Sequence, residues 1–195
     1  KMENLQRTGA YKDRGAMNAV LCLDDNQRKA GVIAASAGNH AQGLAFAAQR
    51  NGTHATIVMP ETAPMAKVQG TRKYGAEVVL HGNGYDDAFA RATELQKERG
   101  YTFVHAFDDP RVIAGQGTVG LELMEHNPYL EIFVVPIGGG GLAAGMGIAL
   151  KEVNPRVRII GVQAENIASM KASIEADRIV AVAGTTIADG IAVGR

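Results

Sequence analysis

Three short segments of this 195-residue chain carry residue types whose spacing could do chemistry. The first is Thr8-Gly9-Ala10-Tyr11-Lys12-Asp13-Arg14-Gly15-Ala16, where a lysine stands between a glycine-containing turn and a helix start. In a partly desolvated pocket such a lysine has a lowered pKa and can attack a carbonyl to form a Schiff base. The competing reading is a surface lysine within a Lys-Asp-Arg run. The second is Ser36-Ala37-Gly38-Asn39-His40-Ala41-Gln42-Gly43, which follows a strand and opens a helix. Its backbone N–H groups face a carboxylate or phosphate at a positive helix end, and Ser36 and Asn39 add side-chain donors. The competing reading is simple capping by Ser36 or Asn39. The third is Pro136-Ile137-Gly138-Gly139-Gly140-Gly141-Leu142, again strand to helix. Consecutive glycines let the backbone approach an anion, and their N–H groups converge at the helix N-terminus as a phosphate cradle.

Rival chemistries compete for the same residues. Ala34-Ala35-Ser36-Ala37-Gly38 is one residue away from the nucleophile elbow G-x-S-x-G of hydrolases, and His81, His105 and His126 follow it in the chain. Gly138, Gly140 and Ala143 fit the dinucleotide pattern G-x-G-x-x-A, but Gln163 stands where an acidic ribose ligand is expected. No Walker A motif is present. His40, His54, His81, His105 and His126 show no metal-ligand spacing, so no metal site is expected. Asp108-Asp109-Pro110 reads as a turn before a helix. Met65, Val68 and Arg72 read as the half-buried side of a helix.

The elements that must position these residues alternate. Strands are expected at Val32–Ala35, Ala55–Met59, Glu77–Leu80, Tyr101–Val104, Ile132–Val135 and Val157–Val162. Helices are expected at Asn39–Arg50, Pro64–Tyr74, Tyr85–Arg99, Arg111–Asn127 and Leu142–Val153, several stopped by glycine. Strands alternating with helices imply parallel β-structure in an α/β fold.

Composition narrows the functional classes. Apolar residues are 46% and charged residues 21%, which excludes general disorder. Glycine, 24 of 195 residues or about 12%, exceeds the usual share of about 7% without a G-X-Y period. Twenty basic and 20 acidic residues cancel, so neither nucleic acid nor an anionic membrane is expected as a partner. The single cysteine, Cys22, fits a reducing compartment, and a cytoplasmic location is expected. No apolar run is long enough to span a bilayer. The ends read as those of a piece of a longer chain, truncated on both sides.

Together the three segments resemble the fold type II pyridoxal-phosphate-dependent enzymes, the tryptophan synthase β-like group. The match is close to the threonine ammonia-lyases, or threonine dehydratases, over nearly the whole chain. Glu3-Asn4-Leu5-Gln6-Arg7-Thr8-Gly9, Gly115-Gln116-Gly117-Thr118, Gly161-Val162-Gln163-Ala164-Glu165-Asn166 and Thr186-Ile187-Ala188-Asp189-Gly190-Ile191-Ala192-Val193 look like further family segments. Serine racemases share the first and third motifs.

The resemblance implies pyridoxal 5'-phosphate as cofactor. It matches Lys12 to the Schiff-base lysine, Asn39 to the ligand of the phenolic oxygen, and Gly138, Gly139, Gly140, Gly141 and Leu142 to the phosphate loop. Ser36, Ala37, Gly38, Asn39 and His40 match the loop that receives the substrate carboxylate, with Ser36 also a catalytic candidate. Tyr11 and Ala10 depart from the more usual Phe and Ser before the lysine. The implied activity is deamination of L-threonine to 2-oxobutanoate and ammonia, with L-serine secondary. Its metabolic setting is isoleucine biosynthesis or threonine catabolism. Serine racemization and an inactive, cofactor-free α/β fragment are the alternatives. The implied partners are a small amino-acid substrate and further copies of the chain, as a homodimer or homotetramer. The implied architecture is a small parallel-sheet domain at residues 27–111. It is inserted in a larger α/β domain contributed by 1–26 and 112–195, with the cofactor between them. Family members continue before residue 1 and after residue 195, where a Ser or Cys meets the pyridine nitrogen.

Overall fold

Apolar runs punctuated by glycine and proline become central strands because both of their faces are covered. The computed structural model describes residues 1–194, and the chain divides into two units, Lys1–Gly115 and Gln116–Arg195. The first begins with a 3-10 turn at Glu3–Leu5. Next come α1 (Lys12–Leu21), α2 (Asp25–Ala30), β1 (Val32–Ala35), α3 (Asn39–Arg50), β2 (Ala55–Met59), α4 (Met65–Arg72), β3 (Glu77–Leu80), α5 (Tyr85–Arg99), β4 (Thr102–Phe103) and the start of α6 (Pro110–His126).

The four strands form one parallel sheet in the order β3-β2-β1-β4. β1 and β2 are buried along their whole length. Alternate residues serve opposite faces, as the two-residue strand period requires. Val32 and Ala34 join Ala16 and Ala19 of α1 and Leu44 of α3. Ile33 and Ala35 join Ala88, Ala92 and Leu95 of α5. Burying each large aliphatic side chain contributes about 1.5–3 kcal/mol.

The chain lays β2 and β3 on one side of β1, then returns to place β4 on the other. The reversal makes the carboxyl ends of β1 and β4 the topological switch point, where open α/β sheets take their ligands. The Ser36–Gly38 loop leaves β1 there, and the segment from Val104 to Asp109 leaves β4.

The expected strands and helices are all present, with small differences at their ends. Pro64 precedes α4 as its N-cap, because its ψ of 134° is extended while its carbonyl accepts the first helical bonds. α4 ends at Arg72, and Gly75 turns the chain at φ +78°. Val68 is buried while Met65 is 60% exposed, so only part of that expected half-buried side packs inward.

In the second unit, β5 (Ile132–Pro136) pairs in parallel with β6 (Arg158–Val162). Helix α7 (Gly141–Val153) packs on β5, and α8 (Ser169–Ala176) follows β6. Leu142, Met146 and Leu150 give α7 a buried stripe at four-residue spacing. Phe133 and Val135 are buried, whereas Ile132 and Val134 on the opposite face of β5 are exposed. Among the described residues no helix is long and apolar enough to cross a membrane.

Candidate active site

Lys12 opens α1, and its surroundings are built by three other pieces of the first unit. From the segment before it, Thr8 donates its backbone N–H to the Asp13 carboxylate at 3.0 Å and its hydroxyl to the same carboxylate. This clamp closes the turn that contains Gly9 at φ +83°. Arg14 forms a two-pronged ion pair with Glu3, at 2.8 and 3.0 Å, which ties down the preceding segment. The Lys-Asp-Arg run is therefore not a solvated surface run, because Asp13 is buried and Arg14 is paired.

The second piece is α3. A Cβ added at Gly43 would lie 3.2 Å from both the carbonyl carbon and oxygen of Lys12, so only glycine lets α3 come this close. The third is the β4–α6 segment, whose Ala106 carbonyl accepts from Lys12 Nζ at 2.6 Å. Burial disfavours the charged ammonium and lowers the Lys12 pKa to about 8. The Tyr11 ring lies 5.4 Å from Nζ.

The loop after β1 takes a defined form. The Ser36 hydroxyl accepts from the Gly38 N–H at 3.2 Å. Gly38 is the N-cap of α3, and no side chain caps that end. Neither Ser36 nor Asn39 thus performs the simple capping that competes with an anion site. The first turn keeps donors for an incoming carboxylate. The Asn39 side chain is exposed. The His40 ring instead turns inward and donates from Nε2 to the Val104 carbonyl at 2.9 Å. Its pKa is pushed down to about 3, first by burial and then by the nearby Lys12 charge. That interaction brings Lys12 and the first turn of α3 into one electrostatic neighbourhood. The hydrolase reading loses support here, because the imidazole beside the Ser36 loop is held by the Val104 carbonyl.

The glycine loop belongs to the second unit. Gly140 is the N-cap of α7 at φ +91°, and no side chain caps this helix either. A Cβ at Gly138 would lie 3.1 Å from the Ile191 Cα, so the loop is drawn tightly over its neighbours. Bare N–H groups in a glycine cradle at a helix start suit a phosphate. Gln163, where a dinucleotide site expects an acid, accepts from the Lys171 N–H at 2.9 Å and so serves α8.

Two contributors escape a reading of the sequence alone. Gly43 looks like a helix-weakening residue until α1 is seen against it. The Ala106 carbonyl that accepts from Lys12 Nζ has no side-chain signature.

A family model described as pyridoxal-phosphate dependent enzyme matches residues 1–195. The L-threonine ammonia-lyase of Thermotoga maritima is 56% identical over 194 residues, covering 99% of this chain and 48% of that protein. The catabolic L-threonine dehydratase of Escherichia coli is 48% identical over 196 residues, covering 100% of this chain and 60% of that protein. Among solved structures, a processed threonine deaminase isoform from Solanum lycopersicum aligns with a TM-score of 0.96 at 42% identity, covering 100% of this chain and 57% of that one. Maize serine racemase also aligns with a TM-score of 0.96, at 37% identity, covering 99% of this chain and 59% of its own. The chain thus spans about half the length of the first of these relatives and three fifths of the second. With its parallel α/β fold, its desolvated lysine and a family model matched from end to end, the chain belongs to the pyridoxal-phosphate-dependent enzymes of fold type II.

Proposed function

We propose that the protein deaminates L-threonine to 2-oxobutanoate and ammonia, and acts secondarily on L-serine to give pyruvate. The observation that carries this is Lys12, a desolvated amine with its pKa lowered to about 8, beside an uncapped helix N-terminus at the switch point of the sheet. Both curated relatives described above are named for threonine deamination, which supports the choice of substrate. The residues fit pyridoxal 5'-phosphate. In the first unit Lys12 would offer the amine for its aldehyde and Asn39 a donor for its ring oxygen; in the second, Gly138 to Leu142 would offer a bare-amide cradle for its phosphate.

When bound, the cofactor supplies an electron sink for the pair left at the substrate Cα. The remaining work falls to this chain. Backbone N–H groups of Ala37, Asn39 and His40 would receive the α-carboxylate and fix which bond faces the lysine. Lys12 would take the proton from Cα. Ser36 accepts from Gly38 and so keeps its own hydroxyl proton to donate. The β-hydroxyl leaves as water, and one water is taken up when ammonia is released, so atoms balance. A cytoplasmic location, a homodimer or homotetramer, and the division at 27–111 belong to the same proposal.

The test is incubation of the protein and pyridoxal 5'-phosphate with L-threonine or L-serine, reading 2-oxo acid, ammonia and serine chirality. Threonine should be consumed faster, with Ser36→Ala retaining residual deamination. D-serine forming faster than pyruvate would replace the lyase with a racemase. No oxo acid and no borohydride-trapped cofactor on Lys12 would leave the inactive fragment.

A further inference from the structure

The segment from Val104 to Asp109 presents two carbonyls to the site: Val104 to the His40 ring and Ala106 to the Lys12 amine. What shapes it is a side chain of its own. His105 Nδ1 accepts from the Asp108 N–H at 2.9 Å and, more weakly, from the Phe107 N–H at 3.4 Å. Those bonds fold the backbone around Ala106. The ring itself is held by aromatic neighbours: Phe107 at 4.7 Å, Phe89 at 6.3 Å and Phe103 at 6.4 Å between centroids. At the far end Asp109 accepts from the Arg111 backbone and guanidinium, which anchors the segment to α6.

We propose that His105 is a positioning residue for Lys12, acting through the acceptor at Nδ1 that folds this segment so that the Ala106 carbonyl and the segment's bulk stand against the lysine amine. The inference rests on the reading of Lys12 as the cofactor lysine. An Nδ1 that accepts must be unprotonated, because a proton there would turn the acceptor into a donor facing two N–H groups. The surroundings oppose a charge on the ring. Burial lowers the His105 pKa, and the Lys12 charge from α1 acts in the same direction. Asp108 and Asp109 act against it. From α3 the titratable neighbour is His40, which is held neutral. The aromatic residues that α5 and β4 set against the ring, Phe89 and Phe103, carry no charge.

Two neutral amides separate this role from packing. His105→Asn places an oxygen near the position of Nδ1, whereas His105→Gln places its amide near Nε2. In the protein stripped of cofactor, competitive acetylation of Lys12 across pH 6–11, read on its peptide by mass spectrometry, gives the titration midpoint of the amine. Midpoints are compared at temperatures where each variant is folded by its melting curve. The parent and His105→Asn should titrate near 8. In His105→Gln the segment loosens and water reaches the amine, so the midpoint should rise by about a unit or more toward the 10.4 of a free lysine. Unchanged midpoints in both variants would overturn the proposal. Equal shifts in both would do so too, since they would reduce His105 to packing. Borohydride trapping of pyridoxal phosphate on Lys12 of the parent is run alongside. If it fails, the cofactor reading falls; if it succeeds while the midpoints do not separate, only the role of His105 falls.

Discussion

Gly43 of α3 lies against the backbone of Lys12 so closely that a Cβ there would sit 3.2 Å from the lysine carbonyl. The neighbour is main chain and cannot swing aside like a side-chain tip. Gly43→Ala should therefore push α1 and α3 apart by a few tenths of an ångström and cost about 1–3 kcal/mol as overpacking. The displacement falls on the residue that carries the amine. Cofactor incorporation at Lys12, trapped by borohydride, should slow on the order of tenfold, equivalent to about 1.4 kcal/mol. Denaturant melts combined with trapping kinetics check both parts, and parent-like kinetics in a destabilised variant would detach Gly43 from the site.

The lowered pKa of Lys12 sets the pH range in which it can act. With a midpoint at about 8, roughly a tenth of the molecules carry the neutral amine at pH 7, against fewer than about one in a thousand for an exposed lysine. Incorporation should rise about tenfold per pH unit below 7.5 and level off above about 8.5. Lys12→Ala should give no trapped cofactor at any pH. A rate still climbing at pH 10 would show that the amine is solvated.

The two central strands of the sheet were legible because they are buried on both faces. Val32-Ile33-Ala34-Ala35 and Ala55-Thr56-Ile57-Val58-Met59 are near-continuous apolar runs, and β1 and β2 occupy those residues. Helix α2 went unread, although its signal is present. Asp24 accepts from the Asn26 and Gln27 N–H groups while Gln27 returns a bond to Asp24, a reciprocal cap visible as Asp-x-x-Gln. The six residues of α2 are too few to show a helical period. The lysine and both glycine-marked loops were legible because each sits where an element begins. The Ala106 carbonyl was not, because it lies 94 residues from Lys12 and has no side-chain signature. The inward turn of His40 was hidden for a similar reason, since its partner is the backbone of Val104.

Gly140 holds φ +91° at the N-cap of α7, a conformation that side chains rarely adopt. A Cβ there would also come 2.9 Å from the Met170 Cε, the flexible end of a long side chain that can yield. The main cost of Gly140→Ala is thus backbone strain, about 1–2 kcal/mol. Relief of that strain would rotate the amides that start α7. The variant should bind pyridoxal 5'-phosphate at least severalfold more weakly in equilibrium titration, with a smaller change for pyridoxal lacking the phosphate. Equal losses for the two ligands would show that the glycine loop does not hold the phosphate.

His40 should make stability depend on pH in the acid direction. Its ring is wholly enclosed and its pKa is pushed down to about 3, by burial first and the Lys12 charge second. In the unfolded chain the same ring takes up a proton near 6.5. Between those values the unfolded state binds more protons than the folded one, so stability rises with pH and is lost as pH falls below 6.5. The loss approaches about 1.4 kcal/mol per pH unit and reaches about 2 kcal/mol by pH 5. His40→Gln retains an amide donor for the Val104 carbonyl but does not titrate. Its absolute stability can differ from the parent's, yet its decline from pH 7 to pH 5 should be shallower by about that 2 kcal/mol. Urea unfolding of both proteins at pH 7, 6 and 5 measures the difference. Parallel declines would place the acid sensitivity elsewhere and show that the His40 ring accepts a proton without leaving its seat.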